Sequence, residues 1–543
     1  MQLAVIKKWV IFTALIIIVA GVLLYALWDE KPTIEKYINI AREVKIQPDY
    51  SGIVIPPNIA PLNFRVLEDG QGYFVKIYSK KADPIEVFSK TPKIIIPNRL
   101  WRELLNNNRG QDLYYDILVQ KHNGQWQLFS TVSNKIADDD VDEYLVYRKM
   151  HPTSIHSAGL MGIFQRNLTT FNEKVIIDNT FDKISCLNCH AFPRGNPDKM
   201  LFGIRPSSRS EGISPATLFI NDAKTSLIDA KFGYTSWHPS GRLAVYSINE
   251  LPMHVHLHSN RNEVRDTINI DSAMAYYLVD DSNIRTAPQL SQKDILENWP
   301  AWSGDGRFLY FCSTKRIWSR GMAQSSWDSQ KSPPKEYNQV KYDLMRISYD
   351  IENDVWGQQE TVLSAQDAGG LSIAMPHPSP DGRWLVFCMC EYGFFPPWQE
   401  NSDLYMIDLK KAEQTGKYEY RQLQINSDQS EAWQSWSTNS RWIVFSSKRE
   451  FGPFTKPYIS HIDTSGRASK PVLLPQKDPD FYNGCLLAYT TPEYTTGPVK
   501  HVKGELAQTF RGSEKIEVDV PITMASPKTD ATYGQQSLWE ENE

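Results

Sequence analysis

Ser236-Trp237-His238-Pro239-Ser240-Gly241-Arg242-Leu243-Ala244-Val245-Tyr246-Ser247 decides the fold, because the chain repeats it three times. The copies are Ala301-Trp302-Ser303-Gly304-Asp305-Gly306-Arg307-Phe308-Leu309-Tyr310-Phe311-Cys312, His377-Pro378-Ser379-Pro380-Asp381-Gly382-Arg383-Trp384-Leu385-Val386-Phe387-Cys388 and Ser435-Trp436-Ser437-Thr438-Asn439-Ser440-Arg441-Trp442-Ile443-Val444-Phe445-Ser446. Each reads as a turn with Asp, Asn or Gly at the bend followed by a short apolar strand, the recurring element of a β-propeller blade. Their arginines are 65, 76 and 58 residues apart. Ordinary blade periods are about 40–50 residues, so these blades must carry insertions such as 316–341. The pattern predicts a mainly β protein with a propeller over 215–499. Five or six blades are expected, with 483–489 in a degenerate last blade and a polar C-terminal tail over 500–543.

Upstream the pattern is also β. Alternating segments at 51–55, 63–67, 73–78 and 113–119, and an Asn123-Gly124 turn leading into 125–129, predict a small β-sandwich of immunoglobulin or fibronectin type over 45–150. Leu100, Trp101, Leu104 and Leu105 recur at helical spacing and predict a short helix over 99–107. The acidic run 137–143 lacks the glycine and terminal glutamate spacing of a calcium loop and reads as a helix or turn start. Residues 151–214 are expected to connect the two domains. The stretch 150–185 is rich in possible ligands, including Met150, His151, His156 and Met161, and leads to the motif that names the chemistry.

That motif is Cys186-Leu187-Asn188-Cys189-His190, the C-x-x-C-H spacing of a c-type haem attachment site. Two thiols so placed can add across the vinyl groups of one porphyrin while the adjacent imidazole of His190 holds the iron as proximal ligand. A thioredoxin-like redox pair would need a strand feeding a helix at the motif, whereas 175–179 runs into polar, irregular residues. Zinc would need further ligands at short spacing, and the other cysteines lie more than a hundred residues downstream.

Residues 9–28 are uncharged and mostly apolar, long enough to cross a bilayer as a helix, with Lys7 and Lys8 before them and Asp29, Glu30 and Lys31 after. Residues 1–31 are therefore expected to be a signal anchor of the bacterial inner membrane, with the bulk of the chain in the periplasm. A cleaved signal peptide would have a shorter apolar run and a clearer small-residue site. At 543 residues with 41% hydrophobic and 12% aromatic content the chain folds into more than one domain. A net charge of −5 without a basic stripe argues against nucleic acid as a partner. Cys312, Cys388, Cys390 and Cys485 read as packing residues, Cys312 and Cys388 occupying matching places in the repeat.

The repeats resemble the W-S-P-D-G-R-x-I-x-F strand of TolB-like β-propellers, a likeness that implies fold and not activity. Together with the anchor, the sandwich, C-L-N-C-H and the stretches 55–64 and 234–241, they resemble the exported, Bacteroidetes-type TolB-like proteins with a cytochrome c motif. That family carries Met-x-Phe-His-x-Arg after its haem motif. Here the stretch is Met200-Leu201-Phe202-Gly203-Ile204-Arg205, so a distal histidine at 203 is excluded.

Met200, ten residues beyond His190, is the first candidate for the distal iron ligand, since a thioether gives a high-potential, low-spin centre. Core packing is the competing explanation for a methionine beside Leu201 and Phe202. His238, which replaces a serine of the other repeats, and His258, which alternates with His254 and His256 along one strand, are weaker candidates. No G-x-S-x-G, H-E-x-x-H, P-loop or dinucleotide motif is present, and a site scattered around a propeller channel would leave none. The expected function is a membrane-anchored monohaem c-type cytochrome that passes single electrons to a partner docked on the propeller. The alternative is a non-catalytic propeller that binds or assembles envelope proteins and carries a structural or sensory haem. An open sixth position on the iron would instead suit a haem enzyme.

Overall fold

The computed structural model describes residues 32–151, 160–180, 184–206, 216–230, 232–250, 267–269, 271–292, 294–317, 335–501, 503–512 and 515–518. The expected membrane span 9–28 and the histidines 254, 256 and 258 lie outside the described residues. Among those described, no helix is long and apolar enough to cross a membrane.

The chain is mainly β, and the described residues form six four-stranded propeller sheets, one with an added edge strand. Blade 1 takes Tyr144–Met150, Met161–Asn167 and Glu173–Asp178 from the first third of the chain and Ala488–Thr495 from near its end. Blade 2 runs Ile184–Ala191, Lys199–Pro206, Ala216–Asn221 and Lys224–Ile228, with Lys515–Ile516 on its edge. The innermost strands of blades 3 to 6 are Thr235–Trp237, Ile295–Trp302, Ser372–Pro378 and Glu431–Trp436. Each innermost strand touches the next, and Ala488–Thr495 touches both Ile184–Ala191 and Glu431–Trp436, so the ring closes. The closure is a backbone ladder in which Tyr144 faces Thr495 and Met150 faces Ala488.

The repeated residues hold the turn between the first two strands of a blade. In blade 4 the Ser303 hydroxyl donates to Asp305 at 2.6 Å and accepts the Phe308 amide at 3.0 Å, while the Arg307 amide donates to Asp305 at 3.1 Å. Ser379 with Asp381 and Ser437 with Asn439 do the same in blades 5 and 6. Gly306 and Gly382 supply left-handed φ values of 76° and 71° at these bends. The turn chemistry is therefore local, which is why it recurs as a readable pattern.

Several boundaries differ from those expected. Residues 151–214 are not a connector, since they contribute to blades 1 and 2, and Tyr144–Met150 belongs to blade 1 rather than to the N-terminal domain. Blade 2 turns through Pro193–Gly195, with Arg194 itself left-handed at φ 50°, so it lacks the repeat signature. Beyond residue 500 the chain forms the helix Lys503–Gly512, which buries Leu506 and Phe510 against Ile176 and Val499.

The N-terminal region is a seven-stranded sheet facing a three-stranded one, with the helix Asn98–Asn107 close to the span expected. Its main sheet is mixed: Tyr37–Glu43 runs parallel to Trp126–Ser130, and Val54–Ile55 parallel to Val132–Ile136. Trp101 is fully buried and donates its indole N–H to the Ile59 carbonyl at 3.1 Å. The acidic run starts no helix. Asp142 accepts the Thr438 amide at 2.7 Å and Asp140 offers its carbonyl to Asn439 at 2.7 Å, which docks this domain on the blade 6 turn.

Candidate functional site

The C-x-x-C-H motif lies on the innermost strand of blade 2, Ile184–Ala191. Cys186, Leu187 and Asn188 pair with Arg205, Ile204 and Gly203, and the register shifts between Asn188 and Ala191. Blades 4, 5 and 6 shift at the matching place, where Trp299, Met375 and Trp433 take φ values of 54°, 53° and 58°. Thr491 occupies this bulge in blade 1 at φ 49°. Strand register puts Cys189 in the same position in blade 2 and Tyr234 in blade 3. A bulge interrupts the alternation of a strand, here within the motif itself.

The bulge position faces the channel. Tyr234 and Trp299 have ring centroids 3.7 Å apart, and Trp299 and Trp433 5.5 Å. Rings from blades 3, 4 and 6 can meet only inside the circle of innermost strands. The two residues that follow turn into the joints between blades. Gln434 donates to the Met375 carbonyl of the preceding blade, whereas Glu493 and Ser236 accept amides of the following blade, from Phe192 at 3.1 Å and Trp302 at 3.2 Å.

His190 occupies the place of Gln434. It is buried, and neither ring nitrogen makes a hydrogen bond of good geometry, the carbonyls of Val146 and Thr491 lying nearby. Burial, reinforced by the Arg148 guanidinium, drives its pKa down to about 3, only partly offset by the nearby carbonyls of Val146 and Thr491. The imidazole is therefore neutral at physiological pH, the form that can ligate a metal. Arg148 spans the joint: it donates to Thr490 at 3.0 Å, to the Leu187 carbonyl at 3.4 Å and to Asn188 at 2.5 Å. It thus fixes the two residues between the thiols. Glu493, half-buried, has its carboxyl pushed up to about 8 by desolvation.

A cavity of about 620 Å³ opens at the centre, lined from all six innermost strands and including His190, Trp299, Met375, His377, Trp433 and Glu493. Arg194 reaches across from blade 2 and donates to the Gly304 carbonyl of blade 4.

Cys186 is half-buried and forms no disulfide; the backbone of Cys189 follows the strand, and its side chain lies outside the description. Met200 is fully buried in an apolar cluster with Leu187, Phe192 and Phe202, and is absent from the cavity wall. His238 has both ring nitrogens in use, Nδ1 with Ser240 at 2.8 Å and Nε2 with the Gly306 carbonyl at 3.1 Å, so it serves its turn. Cys312, Cys388 and Cys390 are buried free thiols whose pKa values burial raises. Among the described residues no group of three or more His, Cys, Asp or Glu side chains could hold a metal ion. Sequence reasoning missed Trp299, Met375, His377 and Trp433 as cavity residues. Their signal is an aromatic or methionine, often followed by proline, just upstream of each repeat, as in Trp299-Pro300 and Met375-Pro376.

No family model matches the chain, and no curated protein is detectably similar to it. Among solved structures, it is similar to an oligogalacturonate lyase in complex with manganese, at 10% identity and a TM-score of 0.31 over 74% of this chain and 99% of that one. It is also similar to the oligogalacturonate lyase of Vibrio parahaemolyticus, at 12% identity and a TM-score of 0.33 over 74% and 100% of the two chains. A prolyl endopeptidase is similar at 10% identity and a TM-score of 0.32, over 74% of this chain and 42% of that one. These likenesses carry no argument about the site.

Proposed function

We propose that this chain is a c-type cytochrome in which Cys186 and Cys189 tether a single haem and His190 is its proximal ligand. The supporting observation is the His190 imidazole, neutral, buried beside the central cavity and held by no side chain, its ring nitrogens having only the nearby carbonyls of Val146 and Thr491. A buried polar group whose hydrogen bonds are poorly made costs up to about 1–3 kcal/mol, which a bond to iron would offset. Of the donors, Cys186 is a free thiol on the same strand as His190 but not on the cavity wall, and the bulge at Cys189 breaks the strand's alternation. A haem held here supplies one-electron ferric/ferrous chemistry. Around it, Arg148 would hold the backbone between the thiols, Glu493 the amide two residues beyond His190, and Trp299 and Trp433 would exclude water. In this reading residues 9–28 anchor the protein in the inner membrane, the propeller stands in the periplasm, and a redox partner docks on it.

Haem staining on a denaturing gel and intact mass test the proposal directly. Expressed in a host competent for cytochrome maturation, the chain should stain and gain the mass of one haem. Cys186→Ala and Cys189→Ala should each weaken or abolish the stain. An unmodified mass in that host would overturn the cytochrome reading.

A second reading, a propeller that binds or assembles envelope proteins without catalysis, is favoured by the aromatic cluster of Tyr234, Trp299 and Trp433 in the channel. Aromatic side chains supply contact area at low entropic cost in binding sites. Under it the haem is structural or sensory.

A further inference from the structure

We propose that the central cavity is a binding site for an uncharged oligosaccharide, a ligand that goes beyond both readings above and does not rest on haem attachment. The strands of a blade run up and down in turn, so the repeat turns lie at one end of the channel and the loops that follow each second strand lie at the other. One of those loops, 391–402 after Trp384–Cys390 in blade 5, sends Phe394 and Phe395 against the bulge residues. Phe394 lies 6.1 Å from Tyr234 and 6.0 Å from Trp299, Phe395 lies 5.8 Å from Trp433, and Trp299 donates its indole N–H to the Phe394 carbonyl at 2.8 Å. These rings plug the channel at that end. The cavity wall includes Gly304, Pro380 and Asn439 of the repeat turns but neither phenylalanine. The cavity is therefore a blind funnel, with Tyr234, Trp299 and Trp433 as its floor and the repeat turns as its mouth. Tyr234 and Trp433 are only half-buried.

Above this aromatic floor the wall is polar without being charged. Burial drives the pKa of His377 down to about 4 and that of Glu493 up to about 8, so at neutral pH the imidazole is unprotonated and the carboxyl is not ionised. Thr491 adds a hydroxyl without a hydrogen-bond partner among the described residues. The charged side chains of the lining stand at the mouth and are engaged there. Arg194 donates to the Gly304 carbonyl, and Asp381 accepts the Ser379 hydroxyl and the Arg383 amide within its own turn. A charged ligand would lose its hydration in the funnel and find no counter-charge. A sugar ring suits both layers: its C–H face lies on the negative face of an aromatic ring, and its edge hydroxyls meet His377, Glu493 and Thr491. An extended peptide would instead bring backbone N–H and C=O groups to rings that satisfy neither. The volume of about 620 Å³ falls in the range of small-molecule sites, about 300–1,000 Å³.

The test is a printed array of neutral, acidic and amino-sugar oligosaccharides probed with the detergent-solubilised full chain, each hit being titrated through tryptophan fluorescence. Neutral members should bind, and their acidic and amino counterparts should bind about tenfold more weakly or not at all. Trp433→Leu should weaken the neutral hit about tenfold. Should that variant fail to fold, His377→Ala, which alters a half-buried side chain of the wall, carries the same expectation. An array without neutral hits, equal binding of the charged counterparts, or an affinity unchanged in a folded variant overturns the assignment. Binding of blocked, uncharged peptides where no sugar binds overturns it in favour of the protein-binding reading. Haem staining of the same preparation decides the attachment proposal separately, so the two failures are distinct.

Discussion

Glu493 accepts the backbone amide of Phe192 at 3.1 Å, tying the strand that closes the propeller to the residue that follows the strand carrying the C-x-x-C-H motif. The two meet at the joint between blades 1 and 2, so the ends of the ring and its chemical motif share one boundary.

The Glu493 carboxyl has a pKa of about 8 because it is desolvated. A carboxyl whose folded pKa is raised binds its proton more tightly when folded, so its contribution is complete below about 4.5 and is lost as pH rises through about 8. Glu297, also near 8 through burial, acts in the same direction. Glu493→Gln should keep the bond to Phe192 and flatten the alkaline fall of the thermal unfolding midpoint. An unchanged pH profile in the variant would refute this origin.

His190 titrates with the opposite sign. Its folded pKa of about 3 lies below the ordinary 6.5, so stability is lost as pH falls between those values. In the haem-free protein His190→Gln should fold, since Gln434 fills the equivalent place in blade 6, and should resist acid better than the parent. Urea unfolding at neutral and acid pH measures the difference. Equal acid sensitivity would count against it.

Two glycines at equivalent bends should differ in cost. A Cβ on Gly306 would lie 2.2 Å from Nε2 of His238, whereas one on Gly382 would meet nothing within 4 Å. Gly382→Ala bears only the left-handed penalty, about 1–2 kcal/mol. Gly306→Ala should cost a further ~1–3 kcal/mol by overpacking the turn. Denaturant midpoints of the two variants give the comparison, and parity between them would disprove it.

Arg148→Met should loosen the motif strand before it unfolds the protein. The side chain is 8% exposed and holds Thr490, Leu187 and Asn188 together. Its removal leaves those acceptors unpaired, at roughly 2–4 kcal/mol. Hydrogen exchange should quicken across 184–191 while strands such as Trp384–Cys390 keep their protection. Uniform acceleration would show that the effect is global.

Blades 3 to 6 were legible in the sequence because Ser303, Asp305, Gly306 and their counterparts each perform a local task that few residue types can do. Blades 1 and 2 were not. Blade 1 is completed by Ala488–Thr495, a pairing over long sequence separation that no local pattern records. Blade 2 turns through a left-handed Arg194 in place of the repeat residues. The C-x-x-C-H chemistry was legible from spacing alone, but its position on an innermost strand required the register of all six blades. Met375 reads as core in an apolar strand, and only its alignment with Trp299 and Trp433 sets it apart.

Closure of the ring by Ala488–Thr495 also orders events during biogenesis. Cys186 and Cys189 leave the ribosome well before Ala488–Thr495, so the nascent barrel stands with a missing wall beside its thiols until synthesis is nearly over. Any covalent modification there has its widest access before the final strand arrives, and locking the circle afterwards would imprison whatever has been attached.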